Sequence, residues 1–203
     1  MTVIVDYGVG NLFSLKSSFR FVGADVLVTG GEREIRRADK IILPGVGAFG
    51  DAAVKLRERG LDTVPTDAAR AGKPLLGICL GMQLLFEKSL EFGEHAGLGL
   101  LPGQVRPMSE VLSPDLKIPQ IGWNALHLNK PDCSIFKYTR EGDCVYFVHS
   151  YHAVDCSESL AATVEYGADI TAAVSRGNVY GCQFHPEKSG EVGLNILRAF
   201  CEL

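Results

Sequence analysis

The residues with the clearest chemical potential are Gly77-Ile78-Cys79-Leu80-Gly81. They follow a short apolar run, Pro74-Leu75-Leu76, and open a stretch read as helix from Gly81 to Lys88. A cysteine on a sharp strand-to-helix turn is the thiol version of a nucleophile elbow. Such a turn strains its central residue and lifts that side chain clear of the sheet. The flanking backbone then comes so close that glycine is required two positions to either side. The start of the following helix points its positive end at the sulfur and favours thiolate over thiol. A cysteine that is only a small buried hydrophobe explains neither glycine. The chemistry indicated is nucleophilic attack, and the elbow by itself does not fix the reaction.

A thiolate nucleophile requires a base and a group to orient it. Of the five histidines, His185 stands out because it opens His185-Pro186-Glu187. A residue before proline is driven toward an extended conformation, and in an extended segment residues two apart share a side. Glu187 is thereby placed to align His185, whose other ring nitrogen can face Cys79. His149 and His152 are rivals, but no carboxylate lies two residues from either within Phe147–His152. His95 and His127 are assigned to surface or loop positions. A third element is Pro44-Gly45-Val46-Gly47, directly after an apolar run. Glycine-rich backbone at the carboxyl end of a strand can offer N–H groups to an oxyanion.

Other chemistries lack their motifs. No two of the six cysteines form a Cys-x-x-Cys pair, so a zinc ribbon or thioredoxin-like site is unsupported. There is no Walker loop, and Gly8-Val9-Gly10 lacks the third glycine of a dinucleotide fingerprint. No metal and no cofactor are expected. The order cysteine, histidine, glutamate fits neither an α/β-hydrolase, which runs nucleophile, acid, histidine, nor a papain-like enzyme, whose cysteine lies near the mature amino terminus.

Short apolar runs alternating with amphipathic segments must carry these residues. Strands are predicted at Val3–Val5, Val26–Val28, Lys40–Leu43 and Leu75–Ile78. Helices are predicted after Asn11, at Asp51–Arg59, at Thr66–Ala71 and at the carboxyl end through Val192, Ile196, Phe200 and Leu203. That alternation implies a parallel sheet covered on both faces. From Gly103 to Gln183 the runs become short and β-rich, with turn residues between them. They predict antiparallel hairpins added to the same sheet or a small side sheet. The expectation is therefore one α/β domain over 1–203, a mixed, mostly parallel sheet flanked by helices with added antiparallel strands.

Composition bounds the rest. A chain of 203 residues, 46% hydrophobic and 22% charged, is that of a folded domain rather than a disordered one. Lys+Arg 20 against Asp+Glu 24 leaves a net charge of -4, which disfavours nucleic acid or an anionic membrane as partner. The local cluster Arg33, Arg36, Arg37 and Lys40 reads as a solvated helix face. Asp6 interrupts the amino-terminal apolar run, unlike a secretory leader. Free thiols in a reducing cytoplasm are expected rather than disulfides.

Taken together, Pro44-Gly45-Val46-Gly47, Gly77-Ile78-Cys79-Leu80-Gly81-Met82-Gln83 and His185-Pro186-Glu187 resemble the class I (triad) glutamine amidotransferases. Asp6–Asn11, Ile121–Asn124 and Val148–His152 extend the likeness to the glutaminase subunits of imidazole glycerol phosphate synthases in histidine biosynthesis, over essentially the whole chain. The resemblance implies a flavodoxin-like fold and hydrolysis of L-glutamine to glutamate and ammonia. Cys79 would attack the amide carbon, and His185, held by Glu187, would shuttle protons. The Leu80 amide and one from Gly45, Val46 or Gly47 would stabilise the oxyanion. Gln83 and Glu91 match positions that hold glutamine, and the Ser150-Tyr151 backbone would meet its carboxylate. The implied partner is a cyclase subunit, a (β/α)8 barrel forming a heterodimer, with Asn11, Trp123 and Lys188 at or near the contact. From sequence alone Trp123 is equally an interface anchor or a core residue. The alternatives are a triad glutaminase serving anthranilate, aminodeoxychorismate or pyridoxal phosphate synthesis, a DJ-1/PfpI-like cysteine enzyme, and a binding subunit with an inert triad.

Overall fold

Val3, Ile4 and Val5 are all fully buried in the computed structural model, which describes residues 1–203. An apolar run without polar alternation needs cover on both faces, and the first half of the chain supplies it. Strand β1 (Thr2–Val5) leads to helix α1 (Leu12–Phe21), β2 (Val26–Thr29), α2 (Glu32–Arg37), β3 (Lys40–Leu43), α3 (Phe49–Glu58), α4 (Val64–Arg70), β4 (Leu75–Ile78) and a single turn, α5 (Leu80–Gln83). The second half is mostly strand: β5 (Phe86–Ser89), β6 (His95–Ala96), β7 (Leu101–Pro107), β8 (Gln120–Leu128), β9 (Cys144–His149), β10 (Tyr151–Val154), β11 (Leu160–Glu165), β12 (Asp169–Arg176) and β13 (Val179–Cys182). Helix α6 (Gly190–Cys201) ends it.

The strands form a nine-stranded sheet in the order β2-β1-β3-β4-β13-β12-β11-β8-β9 and a four-stranded sheet in the order β10-β7-β5-β6. From β2 to β13 every pairing is parallel, and from β13 to β9 every pairing is antiparallel. The expected mixed sheet and the side sheet are thus both present. Alternate residues of the inner strands enter different cores. Ile4, Ile42 and Leu76 pack with Leu15, Phe19, Ile196 and Phe200 on one face. Val3, Val5, Ile41, Leu43 and Leu75 pack with Phe49, Leu56 and Ala68 on the other. Each of the Val, Leu, Ile and Phe side chains contributes about 1.5–3 kcal/mol by leaving water.

Two local expectations need correction. The helix expected over Gly81–Lys88 stops at Gln83, and the chain becomes β5. Leu84, Leu85 and Phe86 are buried consecutively, which a one-sided helical stripe cannot achieve. Their carbonyls accept instead from Leu98, Gly99, Leu100 and Leu101. In α6, Ile196 and Phe200 are buried as the spacing predicts, but Leu203 lies past the helix and is exposed. The Asn11 cap is present, its Oδ1 accepting from the Ser14 N–H at 3.4 Å.

Two neighbouring strands carry the chemistry. Strands β4 and β13 pair in parallel, with Gly77 opposite Gly181 and Ile78 opposite Cys182. Their carboxyl ends deliver Cys79 and Gln183–His185 side by side, and β3 delivers Pro44–Gly47 next to them.

Candidate active site

Cys79 has φ 54 and ψ -114, a left-handed conformation for a residue with a side chain. The strain is held from both sides. The Cys79 N–H donates to the Cys182 carbonyl at 2.7 Å, and the Cys79 carbonyl accepts from Met82 and Gln83 at 3.0 and 3.2 Å. The flanking glycines are required by contact. A Cβ on Gly77 would come within 2.7 Å of the Gly81 carbonyl and the Met82 Cα, and one on Gly81 would overlap the Leu43 carbonyl oxygen.

His185 and Glu187 each expose 4% of their side chains. The His185 Nδ1 and Glu187 Oε1 lie 2.9 Å apart. The contact arises differently from the expected strand alternation. His185 is extended, with its N–H bonded to the Tyr146 carbonyl at 2.9 Å, but Pro186–Lys188 then form a 3-10 turn. The fixed φ of proline suits a first helical turn, and that turn folds Glu187 back onto the ring. Burial opposes a charge on His185, but hydrogen bonding to the Cys79 sulfur and to Glu187, with the charge of each, outweighs it and raises its pKa to about 9. The second carboxylate oxygen of Glu187 is buried without a partner.

The Pro44–Gly47 loop lies against the elbow. The Tyr7 hydroxyl donates to the Pro44 carbonyl at 2.7 Å. A Cβ on Gly45 would stand 2.7 Å from the Gly81 nitrogen and 2.9 Å from both the Leu80 Cβ and the Tyr7 hydroxyl, so only glycine allows this approach. Burial, and the nearby Cys79, push the Tyr7 phenol up, which keeps it a donor.

A cavity of about 430 Å³ opens over the sulfur. Val46, Gly47, Cys79, Leu80, Gln83, Glu91, Ser150, Tyr151, His185 and Lys188 all line it. Gly45, Glu187 and Asn11 do not; with His185 they line a narrow recess next to it. Glu91 is buried rather than a solvated loop carboxylate, and its Oε2 accepts from the Phe49 N–H at 2.6 Å. Burial raises its carboxyl, partly countered by that N–H and by His95. Trp123 is 55% exposed, which removes the core-packing alternative, and it stands edge-on to Tyr146 at 6.0 Å. The Lys188 ammonium lies 5.8 Å from the same ring.

His149 also lines the cavity, but as a neutral imidazole. Its Nδ1 bonds to the Tyr151 carbonyl at 2.9 Å, and burial pushes its pKa down to about 4. His152 is buried with neither ring nitrogen partnered. Two residues near the sulfur have no role assigned from the sequence. Tyr7 enters there only within Asp6–Asn11. Gln183, fully buried, donates from Nε2 to the Cys79 sulfur at 3.8 Å; its signal was its place two residues before His185 on the same extended run. No grouping of three or more His, Cys, Asp or Glu could hold a metal ion, and no helix is long and apolar enough to cross a membrane.

This chain matches known proteins along its length. The family model for "Glutamine amidotransferase class-I" matches residues 3–202. The imidazole glycerol phosphate synthase subunit HisH of Bacillus cereus (strain B4264) is 47% identical over 201 residues, covering 98% of this chain and 93% of the relative. The HisH subunit of Lactiplantibacillus plantarum is 48% identical over 203 residues, covering 100% and 96%. That of Wolinella succinogenes is 47% identical over 205 residues, covering 100% of both. Among solved structures, PurLQS from Thermotoga maritima superposes with a TM-score of 0.78 at 22% identity, over 99% of this chain and 97% of that one. A glutamine amidotransferase superposes with 0.76 at 19% identity, over 99% and 97%. These two likenesses bear on the fold alone.

Proposed function

The chain belongs to the class-I glutamine amidotransferase family, and from that membership we propose that Cys79, His185 and Glu187 are its catalytic triad. The enzyme is the glutaminase subunit of an imidazole glycerol phosphate synthase. It hydrolyses glutamine to glutamate and ammonia and works with a separate cyclase subunit. The single observation that carries the triad is the strained Cys79 beside a buried His185–Glu187 pair.

The steps follow from these positions. The Cys79 thiolate attacks the carboxamide carbon, and the carbonyl oxygen becomes an oxyanion. The Leu80 N–H at the start of α5, with an N–H of the Gly45–Gly47 loop, receives that charge. Protonated His185 gives its proton to the departing nitrogen, which leaves as ammonia, and a thioester remains on Cys79. His185, now neutral, takes a proton from water. The resulting hydroxide equivalent splits the thioester to glutamate and returns the thiolate. Glu187 holds the ring and offsets its charge throughout. Gln83, Glu91 and the Ser150-Tyr151 backbone hold the substrate within the cavity they line.

Ammonia released to water would be protonated and lost as a nucleophile, so the partner must receive it directly. We propose a (β/α)8 barrel as that partner. The surface that suits it combines exposed Ile121 and Trp123 with Lys188, beside exposed Asn11. Val46, exposed between two glycines, suits a loop peptide that turns when the partner docks. The test is glutamate release by the purified chain, alone and with the cyclase subunit and its nucleotide ligand. Low release alone and a large rise with the liganded partner support this reading. A Cys79→Ala chain that still releases glutamate at the normal rate refutes it.

A further inference from the structure

We propose that Gln183 is a positioning residue for the nucleophile: its side-chain amide donates to the Cys79 sulfur, favours the thiolate, and is itself oriented by Gln83. This deepens the reading above and rests on Cys79 being the nucleophile. The orientation follows from one group whose role is unambiguous. The Tyr151 carbonyl can only accept, and it lies 3.1 Å from one terminal atom of the Gln83 side chain. That atom must therefore be the Gln83 Nε2. The same nitrogen lies 2.9 Å from the Gln183 side chain, which must present its oxygen there. The Gln183 Nε2 is then left facing Cys79 at 3.8 Å, within reach of a sulfur acceptor. The reverse orientation would set two N–H₂ groups against each other.

The arrangement is enclosed. Gln183 is fully buried and Gln83 nearly so, leaving little solvent to substitute for a missing partner. The backbone fixes the far end, because the Gln183 N–H donates to the Ala172 carbonyl at 2.8 Å. A thiolate accepts a hydrogen bond better than a thiol does, so a fixed donor shifts the balance toward thiolate. Two consequences follow. Both Gln83 amide hydrogens are engaged, so only its Oε1 remains to meet the substrate's N–H groups. The chain of bonds also runs from the Tyr151 carbonyl, at the β9–β10 junction proposed to hold the substrate carboxylate, to the reacting sulfur.

The test uses two variants: Gln183→Met, of similar length with no donor, and Gln183→Glu, of the same shape with an anion in place of the amide. Iodoacetamide labelling of Cys79 is followed against pH in the complex with the cyclase subunit. Mass spectrometry resolves the site, because Cys144 is exposed and labels as well. Gln183→Met should raise the labelling midpoint by about one pH unit and lower the rate at pH 7 about tenfold. Gln183→Glu should raise the midpoint further. Glutaminase kcat should fall with the labelling rate while KM for glutamine stays within about threefold. An unchanged labelling profile in either folded variant overturns the proposal. If neither variant folds, the wild-type protein answers: the Gln183 side-chain amide proton resonance must titrate with the Cys79 labelling midpoint and stop titrating in Cys79→Ala, and a resonance that ignores pH overturns it. Turnover by Cys79→Ala separately tests the catalytic reading, so the two can fail independently.

Discussion

Replacing Glu187 with glutamine keeps the shape of the side chain and removes its charge. Both Glu187 and His185 are 96% withdrawn from solvent at the side chain, since each exposes 4%, so water screens their attraction little. Opposite charges about 4 Å apart attract by about 4 kcal/mol at an effective dielectric of about 20. That attraction keeps His185 protonated beside the thiolate in the resting enzyme, the state from which it gives its proton to the departing nitrogen. Its loss depletes that state and predicts a fall in kcat of up to roughly 10³, at 1.36 kcal/mol per decade. The unpartnered Glu187 Oε2 sets the limit. Nothing there forces the amide nitrogen of the variant toward the ring, so the amide can keep its oxygen on Nδ1 and preserve the tautomer. The loss should therefore stop short of the ~10⁴ that follows an acid-to-amide change that reverses the tautomer. The assay is glutamate release with the cyclase subunit and its ligand saturating. Imidazole NMR adds a check: His185, raised to about 9 partly by Glu187, should titrate lower in the variant. A Glu187→Gln enzyme with kcat within fivefold of wild type refutes this account of the pair.

The remaining predictions concern stability and the loop. His149 titrates near 4 when folded and near 6.5 when unfolded, so between those values the unfolded chain binds a proton the folded one refuses. Its contribution is present above pH 6.5 and is lost as pH falls toward 4, by up to about 3 kcal/mol at 1.36 kcal/mol for each of about 2.5 pH units. Urea unfolding between pH 4 and 7 should show this slope flattened in His149→Gln; an equal slope in both proteins contradicts it. Tyr7→Phe leaves the Pro44 carbonyl buried without its donor, which should cost about 1–3 kcal/mol in unfolding free energy. It should also lower kcat more than it changes KM, because the loop and not the substrate loses its anchor; an unchanged melting temperature and kcat count against it.

What could be read in the sequence was local. The Cys79 elbow follows from two glycines and the apolar run before it, and the folded chain holds the strain those residues imply. The parallel half of the sheet follows from buried runs separated by capped helices. His185 and Glu187 meet as expected but through a turn begun by Pro186, so the residue types were informative where the assumed backbone was not. What stayed hidden depends on partners distant in the chain. The chain leaves the helix at Leu84, turns and becomes strand from Phe86 because Leu98–Leu101 bond to the Leu84–Phe86 carbonyls. The exposure of Trp123 depends on whether another element covers the outer face of β8, and none does. Gln183 acquires its role only where β13 lies beside β4.

The pairing of β4 with β13 has a consequence for how the protein comes apart. These two strands lie inside the nine-stranded sheet, with β3 and β12 on their outer sides. Strands so enclosed open only when the whole domain does. Ser150 is different: it is the single residue between β9, the edge strand of the large sheet, and β10, an edge strand of the small one. Side-chain bonds such as Thr171 to the Ala153 carbonyl and Gln83 to the Tyr151 carbonyl cross the seam between the two sheets in place of a strand ladder, so the seam is expected to part before β4 and β13 separate. Warming should therefore weaken the grip on the substrate's carboxylate before it disables the sulfur, and on cooling the reacting groups are the part of the site already in place.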